Sequence, residues 1–259
     1  MIQRRAKLLS LIASILCLPA TAFAQGREPA PAPTPARGGW VVSAYLGGAR
    51  TAASDLKVMQ PPFGTDLTFE GVRLRSRSFD PPLYYGLRAG YFIPREPSFG
   101  LEAEFIHLKV YSDPGQRVRV AGRRGGAAVD AEMPLGDIVQ QYSISHGVNL
   151  LLFNAALRRG LRRSDEAPGG RLVMSVRAGA GPTLPHTESS VEGRRQEQYE
   201  VGRLGWQLAG GAELKLRGGL HALGEYKFTR TRQRGKVFSG EAESLLRTHH
   251  GVFGLSYHF

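Results

Sequence analysis

Eight short segments of this chain alternate apolar and polar residues, and nothing between them sustains a helical period. They lie at 40–50, 83–93, 99–111, 138–158, 171–181, 203–215, 220–234 and 243–259. Most approach the ~9–11 residues that a tilted strand needs to cross a bilayer. In the second, Leu83, Tyr85, Leu87, Ala89, Tyr91 and Ile93 share one face, while Tyr84, Gly86, Arg88 and Gly90 share the other. In the last, Phe253, Leu255, Tyr257 and Phe259 oppose Gly254, Ser256 and His258. This pattern suits a soluble sandwich with its polar faces in water, or a membrane barrel with its apolar faces in lipid.

The connections decide between them. Residues 51–82, 112–137 and 182–202 are long, 94–98 and 216–219 are short, and 159–170 and 235–242 are intermediate. Long connections at one end and tight turns at the other are the layout of outer-membrane barrels. An even strand number also lets the first and last strands pair, so that no edge remains. The expectation is an all-β fold: an eight-stranded antiparallel up-and-down transmembrane β-barrel with long extracellular loops and short periplasmic turns. No later segment has the ~18 uninterrupted apolar residues of a transmembrane helix.

Both ends of the sequence agree. Arg4, Arg5 and Lys7 precede an apolar run from Leu8 to Leu18, and Ala22-Phe23-Ala24 is a small-x-small cleavage site, so residues 1–24 read as a secretory signal peptide. Its removal takes away Cys17, the only cysteine, leaving no thiol for catalysis, metal binding or cross-links. Residues 25–38 read as a Pro/Ala-rich periplasmic tether, and 39–259 as the barrel. The terminal Phe259, on an alternating strand, resembles the signal read by the barrel assembly machinery. The expected location is the outer membrane of a Gram-negative bacterium, with a monomeric barrel.

The chain carries 34 Lys+Arg against 22 Asp+Glu, a formal charge of +12. The surplus gathers in the long connections, at Arg73, Arg75, Arg77, Arg117, Arg119, Arg123, Arg124, Arg194 and Arg195. Facing outward, these suit the phosphates and acidic sugars of lipopolysaccharide. Nucleic acid, the other common partner of such charge, is not expected for an exported barrel. On the expected topology His107, His146, His186, His249 and His250 all fall towards the outer rim, where three histidines with a carboxylate would suit Zn, Cu or Fe. Inside, Arg88, Glu102, Glu104, Arg177, Glu213, Glu225 and Lys227 must pair, because the lumen of so small a barrel is filled by side chains. There is no nucleotide loop, dinucleotide fingerprint or nucleophile elbow. Ser143, Ser145 and His146 lie together without a specific spacing.

Several stretches, taken in order, resemble the lipid A oxidase-like outer-membrane barrels of rhizobia and related bacteria. They are Ser78-Phe79-Asp80-Pro81-Pro82-Leu83-Tyr84-Tyr85-Gly86-Leu87-Arg88 and the run from Phe99 to Tyr111. His146-Gly147-Val148-Asn149-Leu150-Leu151, the run from Gly181 to Glu188, and Gly224-Glu225-Tyr226-Lys227 complete the set. The resemblance implies oxidation of the proximal glucosamine of lipid A to a 2-aminogluconate unit, with dioxygen as co-substrate. Since dioxygen does not react directly with a sugar, it further implies a redox centre, for which a histidine-bound transition metal is the natural candidate. On this reading His107, His146 and Glu225 are candidate catalytic residues. His107, His186 and Glu188 are candidate metal ligands, and Arg88, Lys109 and Lys227 candidate partners of lipid phosphate or carboxylate. A non-enzymatic barrel for envelope integrity or for binding lipopolysaccharide or host surfaces, and a lipid A deacylase, are the alternatives.

Overall fold

The computed structural model describes residues 38–144, 147–161 and 171–259. The expected signal peptide and all but the last residue of the tether lie outside them. In chain order the described strands are β1 (Gly39–Thr51), β2 (Ser54–Gln60), β3 (Thr65–Val72), β4 (Leu74–Arg75), β5 (Tyr85–Ile93), β6 (Glu96–His107), β7 (Val110–Ser112), β8 (Arg117–Arg124), β9 (Ala127–Pro134), β10 (Val139–Ile144), β11 (Leu150–Gly160), β12 (Leu172–Gly181), β13 (His186–Val191), β14 (Arg194–Tyr199), β15 (Gly205–Arg217), β16 (Leu220–Val237) and β17 (Gly240–His258).

Eight of them form an antiparallel barrel in the order β1-β5-β6-β11-β12-β15-β16-β17, and β17 returns to β1 in register from Val41↔His258 to Thr51↔Thr248. Closure leaves no unpaired edge, as a bilayer requires. The alternation read from the sequence sets the two faces of the wall. Leu87, Leu101, Leu157, Val176, Leu208 and Leu255 are exposed on the outside, while Arg88, Glu102, Arg177, Gln207 and Ser256 are buried inside. Aromatic rings flank this apolar band. Trp40 with Tyr91, and Tyr257 with Phe259, lie at one end, and Tyr85 with Phe105, and Trp206 with Phe228, at the other. An apolar belt between aromatic girdles is the outer surface of a transmembrane barrel.

Tight turns at Pro94-Arg95 and Gly218-Gly219 mark one end of the barrel, where the Phe259 N–H also donates to the Trp40 carbonyl at 3.0 Å. This is the inner end in the outer-membrane layout. At the opposite, outer end the structure corrects the sequence reading. The connections 51–82, 112–137 and 182–202, expected as loops, carry strands. β17 continues beyond the membrane band and pairs with β2 (Met59↔Glu241), from which β3, β8 and β9 extend the sheet. A second sheet runs β14-β13-β10-β7-β4. Leu56, Val58, Leu67, Phe69 and Val120 of the first sheet share one buried cluster with Val139, Tyr142, Ile144 and Val191 of the second. Their polar neighbours face water, as in the exposed Lys57–Asp66 pair at 3.2 Å.

Segment 138–158 is also corrected: it divides into β10 in the outer sheet and β11 in the barrel. The break falls where Gly147 and Asn149 take φ of +102° and +47°, a region open to Gly and tolerated by Asn. Segment 99–111 divides in the same way, between β6 and β7. The 235–242 connection is shorter than expected, because β16 and β17 run on to a tight turn at Phe238-Ser239.

Leu255→Arg, on the lipid face between Ala44 and Ala222, should cost about 2–4 kcal/mol, read as a lower denaturant midpoint for the folded, heat-modifiable barrel. Phe69→Ala should cost about 3–5 kcal/mol in the outer double sheet. It should open β2–β3 to protease while the membrane band stays folded.

Candidate functional site

Charge pairing fills the lumen. Glu104 accepts from Tyr45 Oη at 2.7 Å, Lys227 Nζ at 2.6 Å, Asn154 Nδ2 at 3.0 Å and Arg88 at 3.3 Å, and also from Gln207. Glu225 is held by Arg88 at 3.1 Å, by Arg177 and by Lys227. Glu102 takes Arg177 at 2.7 Å and Arg88 at 3.8 Å. Arg88, Arg177 and Lys227 thus balance Glu102, Glu104 and Glu225, with all six side chains nearly inaccessible. Pairs sealed away from water hold only when charge and hydrogen bonds are both satisfied. Above them the apolar cluster continues into the outer mouth through Tyr84, Ile106, Leu150 and Leu152. The lumen is therefore a packed core.

The sequence reading assigned Glu225 to catalysis and Arg88 and Lys227 to substrate. The structure places all three in this lumen network, on the face of the wall opposite the lipid. Lys109 lies at the outer rim, where Nζ donates to the carbonyls of Asp80 at 2.7 Å and Pro81 at 3.2 Å. Removal from water lowers the pKa of its ammonium below the usual lysine range. His250 is inside the barrel, between Tyr84 Oη at 3.0 Å and Thr229 Oγ1 at 2.8 Å. His146 lies outside the described residues.

A second assembly forms at the outer rim, on the lipid-facing side. His107 ends β6 opposite Tyr85 and on the same face as Leu101 and Phe105. It stacks on Tyr85 with ring centroids 5.2 Å apart. Its residue is only 6% exposed. His107 Nδ1 lies 2.8 Å from Asn149 Oδ1, and Asn149 Nδ2 donates to the Leu184 carbonyl at 3.1 Å. That second bond assigns Oδ1 as the acceptor, so in the neutral imidazole the His107 Nδ1 carries the proton and Nε2 the lone pair. Nε2 is buried and has no hydrogen-bond partner among the described residues. An orphaned buried nitrogen of this kind calls for a function.

Gly147 joins this histidine to the next. A Cβ on Gly147 would lie 2.5 Å from the His107 ring, and the Gly147 carbonyl accepts the His186 N–H at 3.3 Å. His186, Glu188 and Glu197 bring one donor atom each to within 4.8 Å of one another. His186 Nε2 lies 3.2 Å from Glu197, and Nδ1 4.0 Å from Glu188. One imidazole and two carboxylates are a nitrogen–oxygen donor set that fits a divalent transition metal. Arg195, with a side chain 66% exposed, reaches both carboxylates at 3.8 and 3.4 Å, and Gln141 Nε2 donates to Glu188 Oε2 at 3.0 Å.

The structure thus brings the expected His186 and Glu188 together, with His107 hydrogen-bonded to Asn149 outside that group. The sequence reading missed Glu197 and Asn149. A signal for Glu197 existed: Glu192-Gly193, with φ of +51° and +75°, is a two-residue hairpin turn that sets Glu188 opposite Glu197.

The closed register, lipid-facing band and girdles define the class: an outer-membrane-type β-barrel. Among solved structures the chain is similar to Neisserial surface protein A (10% identity, TM-score 0.38, covering 85% of this chain and 97% of that one). It is similar also to the outer membrane protease OmpT of Escherichia coli (10%, 0.44, 85% and 97%). A third is Ail of Yersinia pestis, in complex with the heparin analogue sucrose octasulfate (9%, 0.32, 85% and 99%). No protein-family model and no curated protein matches the sequence.

Lys227→Met would strip the central cation from Glu104 and Glu225. It should destabilise the barrel by about 3–5 kcal/mol, measured as the shift in its urea unfolding free energy.

Proposed function

We propose that the protein is a lipid A-modifying oxidase of a Gram-negative outer membrane, converting the proximal glucosamine of lipid A to 2-aminogluconate. The observation that supports this reading is the meeting of distant sequence stretches. Tyr85, His107, Asn149 and the Leu184–His186 run belong to four of the five stretches that resemble the lipid A oxidase-like family. They join through the contacts His107–Tyr85, His107–Asn149 and Asn149–Leu184. Their common place is the outer rim on the lipid face, where this reading sets the sugar headgroups of the outer leaflet.

In this reading His107 Nε2 is the base that takes the anomeric hydroxyl proton of a 1-dephosphorylated lipid A. Asn149 holds the imidazole in the required tautomer, and Tyr85 holds its plane. The anomeric C–H bond gives up two electrons and a proton, dioxygen becomes hydrogen peroxide, and water opens the resulting lactone, for a net gain of one oxygen atom. His186, Glu188 and Glu197 would hold a transition metal, which when bound supplies the activation of dioxygen. Arg88, Glu225 and Lys227 stiffen the wall behind the site. The tether would lie in the periplasm, and Phe259 would be read by the barrel assembly machinery.

A second reading draws on the outer arginines. Arg73, Arg117, Arg123 and Arg194 are exposed, and none makes an ion pair among the described residues, whereas Arg75, Arg119, Arg124 and Arg195 do. A non-enzymatic barrel that binds the phosphates of lipopolysaccharide would use them.

Mass spectrometry of lipid A from a 1-dephosphorylated host, with and without the protein, under air and under nitrogen, separates the readings. The oxidase gives an air-dependent gain of about 16 mass units, and His107→Ala reduces it by at least about 100-fold in a folded barrel. Full activity in both His107→Ala and His186→Ala would sink the site assignment. Loss of an acyl chain would indicate a deacylase, and unchanged lipid A with folded barrel would favour the binding role.

A further inference from the structure

We infer that Glu213, His221 and His258 form a divalent-metal site, best suited to Zn²⁺, that latches the inner mouth of the barrel. The three residues come from β15, β16 and β17, and one donor atom from each lies within 4.8 Å of the other two. All three sit at the end marked by the Gly218-Gly219 turn. His258 also pairs with Val41 of β1, so the group touches the seam at which the barrel closes.

The surrounding contacts orient the donors as metal ligands are oriented. The His221 Nδ1–H donates to the Gly219 carbonyl at 2.9 Å, which leaves Nε2 with the lone pair. Ser256 Oγ donates to Glu213 Oε2 at 3.0 Å, and His258 Nε2 lies 2.6 Å from the same oxygen. The two imidazoles stack at 4.0 Å between centroids, with their planes 25° apart. A Glu213–His258 hydrogen bond joins two of these residues, and a shared cation would join all three. Two imidazoles and one carboxylate with no thiolate are a donor set typical of zinc, and leave a fourth position for water. Glu213 and His221 are buried and His258 is partly open to the inner side, so an ion can reach the group from that end.

The site is independent of the outer rim group and of the oxidase reading. Its test uses the folded full-length barrel in detergent carrying His186→Ala, which disables the other candidate ligand group. Titration with Zn²⁺ against a competing chelator should give one bound equivalent, and Co²⁺ should give the absorption of a tetrahedral nitrogen–oxygen site. Zn²⁺ should also raise the urea midpoint of unfolding. Adding Glu213→Gln or His221→Ala, with folding checked by heat-modifiable gel mobility, should weaken binding by at least about 100-fold, beyond the ~10–100-fold typical of an outer-shell change. Absence of stoichiometric binding to the folded His186→Ala barrel would overturn the site. So would undiminished affinity in either added variant.

Discussion

The ionic knot inside the barrel is the constraint on which the rest depends. An eight-stranded wall encloses too little room for water, so every polar group pointing inward must find its partner among other side chains. Glu104 is the centre, with Tyr45, Arg88, Asn154, Gln207 and Lys227 all directed at its two oxygens. These partners come from β1, β5, β11, β15 and β16, so one carboxylate reports whether five strands are in register. A slip of one residue on any of them would turn its partner out to lipid and leave a charge or amide unpaired. The cost of burying such charges is offset by a unique register, which apolar packing alone would not enforce.

That division of labour explains where chemistry can sit. Residues on the inner face are consumed by structure, and the outer face at membrane level is apolar. Within the barrel itself, among the described residues, polar side chains with access lie at the two rims. At the outer rim the wall ends in Gly147 and Asn149, whose left-handed backbones turn the chain aside and let His107 and His186 approach from different strands. At the inner rim the tight Gly218-Gly219 turn supplies the carbonyl that orients His221.

The membrane band was legible because lipid on one side and a packed lumen on the other impose strict alternation, and seven of the eight segments contain a barrel strand close to the expected bounds. The outer sheets were harder to read. Leu56-x-Val58, Leu67-x-Phe69 and Val118-x-Val120 alternate too, but only over three positions, with charged neighbours such as Lys57, Asp66 and Arg119. Short patterns of this kind resemble ordinary loop sequence until the facing sheet is known. The same limit applied to polar residues. Alternation placed Arg88, Glu225 and Lys227 on the inner face correctly, yet nothing in the sequence tells that they meet one another rather than a ligand. Contacts between remote strands depend on stagger around the barrel, which a single sequence does not encode locally.

The β16–β17 hairpin passes from the membrane band into the outer sheet without interruption, through strands of 18 and 19 residues. The first outer strand, β2, finds its partner there, at Leu56↔Ser244 and Met59↔Glu241. The β2–β3 hairpin can pair locally, but its junction with the barrel waits for the last strand. Contacts so distant in sequence form slowly, and the apolar faces of β2 and β3 stay exposed in the meantime. By this topology the outer double sheet is a late-assembling part of the fold. Once built, it stands on a continuous pair of strands and presents a fixed relief to the exterior.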